Sequence, residues 1–323
     1  LDANGSGTLL SGDIDGGSTD NCAVESVSVL GCPEDLADDQ NTTSDIIFGD
    51  GNDNGAFTLA NSGSIELALR AKVRFPSPAN VFNSNGDGSY NHAVGVFGSG
   101  GIQSGWNFEW SVNTDADGAS GLKLDDLTYE IGIDYDPTDG VNFVEFDPIN
   151  QPLADHAIGD NSTANGAGAV AVDPASYASL IAANNVAQNS WRNNFFGAFD
   201  GNVDGRYEVY LKAFDGGGNE VAMTAITVIA GNGTGNAYAG CLAPLESIDF
   251  GCADVGVSTQ TLLVRDASGN ESTCTAQVTV EDNVAPEALC VGTIELELNS
   301  FGSAVLDPSD IDNGSNDAFG IAS

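Results

Sequence analysis

The sequence is poor in positive charge. Lys and Arg together number 8 against 47 Asp and Glu, which gives the 323-residue chain a formal net charge of −39 at pH 7. A polyanion of that strength repels phosphate, so nucleic acid and anionic membrane surfaces are poor partners for it. Long apolar runs are missing as well. None approaches the ~20 residues a helix needs to cross a bilayer, and no membrane insertion is expected. Methionine is down to Met223, and histidine to His92 and His156. Neither His lies near a Cys, and no pair among Cys22, Cys32, Cys241, Cys252, Cys274 and Cys290 has CxxC spacing. That argues against zinc and for disulfides formed outside the cytoplasm. No Met or signal peptide opens the chain at Leu1, which reads as a mature or cut product.

Glycine, by contrast, is plentiful at 41 residues, and a hydrophobic content of 41% is enough to build folded cores. Strands joined by tight turns are expected throughout. A single helix is expected over 175–184, where Asp173 supplies the cap and Pro174 the first position.

The two ends of the chain repeat one another. Residues 1–26 and 298–323 align without a gap, and 11 of the 26 positions are identical. The identities include Asp13/Asp310, Ile14/Ile311, Asp15/Asp312, Gly17/Gly314, Ser18/Ser315 and Asp20/Asp317, an ungapped DIDxGSxD match that composition bias does not produce. The chain is therefore expected to begin inside one module and end inside the next copy. Ahead of the second copy come a strand at 261–266, a turn at 267–271, and a strand at 272–280 that alternates every second residue. Glu281, Asp282 and Asn283 then lead into Ala285-Pro286, read as a linker.

The order DIDxGSxDNC, Phe250-Gly251-Cys252, the DxxGN hairpin, STCTAxVTV and DNxAP resembles the Ig-like, HYR-type repeats of large surface proteins and adhesins of Bacteroidota, gliding-motility adhesins among them. The resemblance covers about 1–32 and 241–323. The second copy departs from it at Ala318-Phe319, where the first has Asn21-Cys22.

The segment between Cys32 and Cys241 is too long for a loop of such a module. It carries its own alternating strands: Ile65, Leu67, Leu69, Ala71, Val73 and Phe75; then Trp106, Phe108, Trp110 and Val112. Leu127, Tyr129, Ile131 and Ile133 follow, then Tyr207, Val209, Leu211 and Ala213, with 223–229 last. One apolar and one polar face per strand is the pattern of a two-sheet sandwich. The stretches ELALRAKVRF, WNFEWSVNTDADGASGLKLDDLTYEIGIDYDP, NNVAQNSW and GRYEVYLKAFDGGGNEVA resemble a secreted bacterial β-sandwich of surface proteins with sorting tails, which implies location more than activity.

The expected fold class is all-β: an Ig-like β-sandwich module (1–32 plus 241–283, first strand missing) interrupted by a larger β-sandwich insert (33–240). The start of a second Ig-like module follows at 284–323, or a strand given to a neighbouring subunit. Cys32 and Cys241 stand at the two roots of the insert, and a bond between them would close a loop of about 200 residues, worth about 4–5 kcal/mol in the chain-entropy model. Within the Ig-like reading Cys22 is expected to pair with Cys252. Cys274 is expected to pair with an upstream counterpart of Cys290, leaving both unpaired here; a Cys274–Cys290 bond is the alternative.

Acids that sit with Asn and Gly in turns point to Ca²⁺ rather than to solubility alone. Asp200, Asn202 and Asp204 followed by Gly205 have the spacing that turns three oxygens around one cation, with Glu208 two strand positions further on. The pattern recurs at Asp50/Asn52/Asn54, Asn83/Asn85/Asp87 and Asn113/Asp115/Asp117, in each case with Gly next. Asp13, Asp15 and Asp20 of the DIDxGSxD loop form a second class of candidate. Ordinary Asx-turns give the same patterns.

No enzyme is expected. No GxSxG or HExxH accompanies His92 or His156, and Glu109 and Glu130 are read as partners of Arg70, Lys72 and Arg74 in a cross-strand charge ladder. Trp106 and Trp110 share the apolar face and are read as core. The function expected is structural: a segment of an extracellular surface filament or adhesin, held by disulfides and Ca²⁺, whose partners are copies of itself. The rival is a carbohydrate-binding protein whose insert grips surface glycans through exposed aromatics.

Overall fold

The computed structural model describes the chain except for residues 22, 34–35, 76–79, 98–102, 139, 151–154, 232–241, 267, 269, 319 and 321–323. Among the described residues the α-helices are Pro174–Ala183 and two single turns, Ser11–Ile14 and Pro308–Ile311; nearly all other regular structure is strand. No helix is long and apolar enough to cross a membrane. The chain divides into two compact units, Leu30–Ala243 and a unit made of Leu1–Val29 with Pro244–Ser323.

The larger unit is a β-sandwich. One sheet runs in the order Ala157–Gly159, Val186–Trp191, Trp106–Asn113, Ile65–Val73, Phe57–Ser62, Ala37–Gln40, all antiparallel. The other runs Phe143–Phe146, Thr128–Asp134, Gly205–Phe214, Glu220–Ala230, Ser89–His92, with the last pair parallel. Alternation decides which side chains meet between them. Leu67, Leu69 and Ala71, Trp106, Phe108 and Trp110, Ile131 and Ile133, and Val209 and Leu211 fill one continuous core. Each large apolar side chain so buried contributes about 2–3 kcal/mol from desolvation. The helix starts as its cap residues demand: Asp173 accepts from the Ser176 N–H at 2.7 Å, Pro174 is the first helical residue, and Tyr177 and Ile181 turn inward.

The polar faces of the central strands are not given to solvent. Ile65–Val73 and Trp106–Asn113 are buried along almost their whole length. Ile46 packs with Phe57, Leu59 and Ala68, and Ile47 with Ala157 and Val186, so part of the loop between residues 41 and 56 acts as a third layer. The polar side chains sealed beneath it are paired, as burial requires. Thr43 donates its N–H and hydroxyl to Glu66, the hydroxyl at 2.7 Å. Gln188 accepts from the Ile47 N–H at 2.8 Å and donates to the Asp45 carbonyl. Arg70 stands directly opposite Glu109 and meets its carboxylate at 2.5 Å, with Lys72 3.6 Å from the same group. The Arg70 guanidinium lies 4.2 Å from the Phe57 ring centre and 4.1 Å from that of Phe82. The charge ladder holds for Glu109 but not for Glu130, which accepts from the Tyr210 hydroxyl at 2.9 Å because it sits in the other sheet, opposite Lys212.

The smaller unit pairs Gly7–Leu10 with Ser247–Phe250 and has a four-stranded sheet in the order Ala243–Leu245, Val24–Gly31, Gly256–Asp266, Glu271–Val280. The last two form a hairpin whose turn is held by the Asp266 carboxylate, which accepts from the Ser268 and Asn270 N–H groups. Phe250, Leu262, Leu263 and Val280 are buried, but much apolar surface is not. Of the fifteen large hydrophobic side chains exposed among the described residues, ten belong to this unit, and five of those fall between Leu296 and Leu306.

The sequence repeat is also a repeat of geometry. Single helical turns occupy Ser11–Ile14 and Pro308–Ile311. Ahead of each, Asp2 and Asn299 accept two backbone N–H bonds, from Asn4 and Ser6 in the first copy and from Phe301 and Ser303 in the second. Gly5 and Gly302 take φ of 75° and 77° in these turns, a region favourable to Gly. The copies differ in what surrounds them. Residues 304–307, the counterparts of the paired strand Gly7–Leu10, have no strand partner among the described residues, and Val305 is 80% exposed. The stretch 287–291 bonds instead to the loop of its own copy, through Asn313 N–H to Leu289 O and Val291 N–H to Ile311 O, both at 2.9 Å.

Cys32 is disulfide-bonded, and Cys22 and Cys241 lie outside the described residues. Cys252 is a free thiol, which corrects its expected bond to Cys22; its sulfur packs 3.3 Å from the carbonyl of Ala318. Cys274 and Cys290 are exposed free thiols.

Candidate functional site

The acidic loops are closed by their own hydrogen bonds. In the loop at 200–204, Asp200 accepts from the backbone and side-chain amides of Asn202 at 3.0 and 3.1 Å. Glu208 is turned away from that loop's chemistry. It is buried, paired with Arg206 at 2.5 Å, and accepts from the Thr227 hydroxyl at 2.7 Å; burial raises its pKa while Arg206 opposes the rise.

In the triad 113/115/117 each side chain accepts hydrogen bonds of its own. Asn113 is fully buried, accepting from Asn185 and donating to Asn161, each at 2.8 Å. Asp115 accepts from the N–H and hydroxyl of Ser120, which hold its carboxyl below the ordinary range, and Asp117 accepts from Ala119. Asn52 donates to the carbonyls of Phe48 and Gly49, and Asn54 ties Thr42 to Ser44. Asn85 is taken by Ser89 and Asn91, Asp87 accepts from Ser89, and Asn83 holds the loop at φ 55°.

In the DIDxGSxD loop Asp13 caps the Leu10 N–H, and Asp15 accepts from the Ser18 hydroxyl and N–H, which lower its pKa. Asp310 and Asp312 repeat both bonds on Asp307 and Ser315. Asp20 makes no part of either bond. Among the described residues no three His, Cys, Asp or Glu side chains gather as a metal-holding group. The hydrogen bonds of the loop residues close turns.

A different site is concave. In the larger unit a cavity of about 500 Å³ opens between the edge strand Phe143–Phe146 of one sheet and Val186–Trp191 of the other. Phe146, Trp191, Phe195 and Phe196 supply its aromatic wall. Their rings touch one another: Phe196 lies 4.8 Å from Phe146 and 4.9 Å from Trp191, centre to centre. Phe195 is 49% exposed at the mouth, with the Arg192 guanidinium 4.3 Å from its ring centre. Asp155, His156 and Ser190 bring polar atoms to the same cavity.

His156 is fully buried and held from both sides. One ring nitrogen, Nε2, lies 2.5 Å from the Pro148 carbonyl and so donates to it; the other, Nδ1, then accepts from the Asn189 amide at 3.0 Å. Asn189 also donates to Asp155 at 3.1 Å. Burial pushes the His156 pKa down to about 4, so the ring is neutral at pH 7. Ser190 accepts from Asn107. Ser, His and Asp thus share a cavity, but both imidazole nitrogens are already engaged and neither serves the Ser190 hydroxyl as a base.

Trp106 and Trp110, 1% and 0% exposed, belong to the core, so a sugar platform built on them is excluded. Phe146, Phe195 and Phe196 were outside the alternating sets picked from the sequence. The available signal was the close spacing of Trp191, Phe195 and Phe196 among Arg and Asn, a crowd of aromatics where strand alternation stops. In comparisons with known proteins, no family model matches the chain and no curated protein is similar to it.

Proposed function

We propose that the chain is a structural segment of an extracellular bacterial surface filament or adhesin built from tandem Ig-like modules, with the larger β-sandwich carried as an insert. The observation that carries this reading is the recurrence of the turn, the helical turn and the backbone bonds of the Asx-loop at a fixed spacing of 297 residues. A recurrence so regular is the mark of stacked, serial units. The resemblance to HYR-type repeats points the same way.

The unpaired 304–307 segment supports copies of the chain, or further modules, as partners. Its counterpart is zipped to Ser247–Phe250, and an exposed strand-forming edge with apolar side chains invites a strand of that kind. Antibody against the larger unit, applied to intact source cells and followed by electron microscopy, tests the reading. Label along regularly repeating surface structures is the expected result. Label appearing only after the cells are permeabilised would overturn it.

A further inference from the structure

We propose that the aromatic cavity between Phe143–Phe146 and Val186–Trp191 binds a neutral sugar ring, with Phe195 and Phe196 receiving its apolar face, buried Trp191 backing them, and Asp155 and Ser190 meeting its hydroxyls. This stands apart from the structural role above and does not rest on it.

The argument begins with size. A cavity of about 500 Å³ lies within the range of small-molecule sites, and it combines a continuous apolar wall with few polar groups, the usual composition of such sites. The polar groups are the kind that hydroxyls need. Asp155 is exposed, and Asn189 engages its Oδ1, which fixes the carboxylate in place while Oδ2 can accept from a ligand hydroxyl. Ser190 carries a hydroxyl held by Asn107, and the neutral, doubly bonded His156 is a rigid wall between them.

Charge selects against anionic ligands, because Asp155 stands in the site, the chain carries −39, and the guanidinium at the mouth, Arg192, lies against the Phe195 ring. Ring geometry selects against an ammonium ion. An aromatic cage holds a cation between separated rings, whereas Phe146, Trp191 and Phe196 are in mutual contact at 4.8–5.8 Å and present one wall. A wall of contiguous rings beside a carboxylate and a hydroxyl suits a flat molecule with one apolar face and a polar rim. Phe195, half in solvent at the mouth, is the one aromatic ring of the larger unit among the exposed large hydrophobic side chains of the described residues.

Calorimetric titration of the whole chain with the methyl glycosides of glucose, galactose, mannose and N-acetylglucosamine tests the proposal, with choline and glucuronate as the cationic and anionic controls. At least one neutral glycoside is expected to bind one site with a Kd of about 0.1–10 mM, and the controls are expected not to bind. Phe195→Ala and Asp155→Asn are each expected to weaken that binding about tenfold. If Phe195→Ala lowers Tm, Asp155→Asn decides alone. No heat from any of the four glycosides, choline binding more tightly than all of them, or binding unchanged in Asp155→Asn would each overturn the proposal.

Discussion

Asp134 ends the Thr128–Asp134 strand with its carboxyl group 1% exposed, accepting from the Asp136 and Asn142 N–H groups at 2.9 and 2.7 Å through one oxygen. Its other oxygen has no partner. Burial drives its pKa up to about 8, and the nearby Glu208 adds to the rise. The folded value lies above the unfolded one, so the contribution of this group is fully present below about pH 4 and is lost as pH rises through 8. Asp134→Asn keeps the accepting oxygen and removes the titration. Melting followed from pH 4 to pH 9 is expected to show the variant gaining on the parent as pH rises, by several degrees at pH 9. Curves that stay parallel would show that the carboxyl is ionised in the fold. The two histidines act in the opposite sense. Burial depresses both His92 and His156 to about 4, so what they contribute is present above their ordinary value and is lost as pH falls through 4.

Among the elements, the strands of the larger unit were legible because alternation is local. Leu67 and Leu69, or Trp106 and Trp110, declare their face by spacing alone, and the Asp173–Pro174 pair declares the helix start. The third layer was not legible. That Thr43 meets Glu66, Ile47 meets Gln188 and Gly55 meets Arg70 depends on contacts as far as 141 residues apart, which no window of sequence contains. The acidic loops read two ways for a related reason. Asx-turn closure and cation binding ask for the same residues at the same spacing, and only the partner of each carboxylate separates them. Glu208 makes the distinction measurable. Glu208→Ala removes a buried carboxylate that pairs with partly buried Arg206 and accepts from Thr227, and is expected to cost about 1–3 kcal/mol in chemical denaturation. The loss is expected to be equal with and without Ca²⁺, whereas a loss confined to calcium-containing buffer would make Glu208 a ligand.

For the molecule as a whole, a net charge of −39 acts on stability through self-repulsion, and any cation relieves it by screening. Calcium is therefore expected to raise Tm no more than magnesium does, and no more than sodium at equal ionic strength. Replacing Ca²⁺ with chelator at constant ionic strength should move Tm by about 1 °C or less. A calcium-specific rise of several degrees would show that the acidic loops build an ion site.

The same scarcity of basic residues shapes how the chain meets proteases. Arg70, Lys72 and Lys212 are buried, Arg206 and Arg265 are held in ion pairs, and no Lys or Arg follows Arg265. The exposed stretch from Leu296 to Leu306 is thus without a trypsin site, though Leu298 and Phe301 offer chymotrypsin 67% and 91% exposed side chains. Limited digestion is expected to leave this end intact with trypsin and to cut it early with chymotrypsin. Chymotrypsin resistance there would mean that a strand from another copy already covers it. Against trypsin-like enzymes, one of the most exposed of the described stretches would be among the last to be cut.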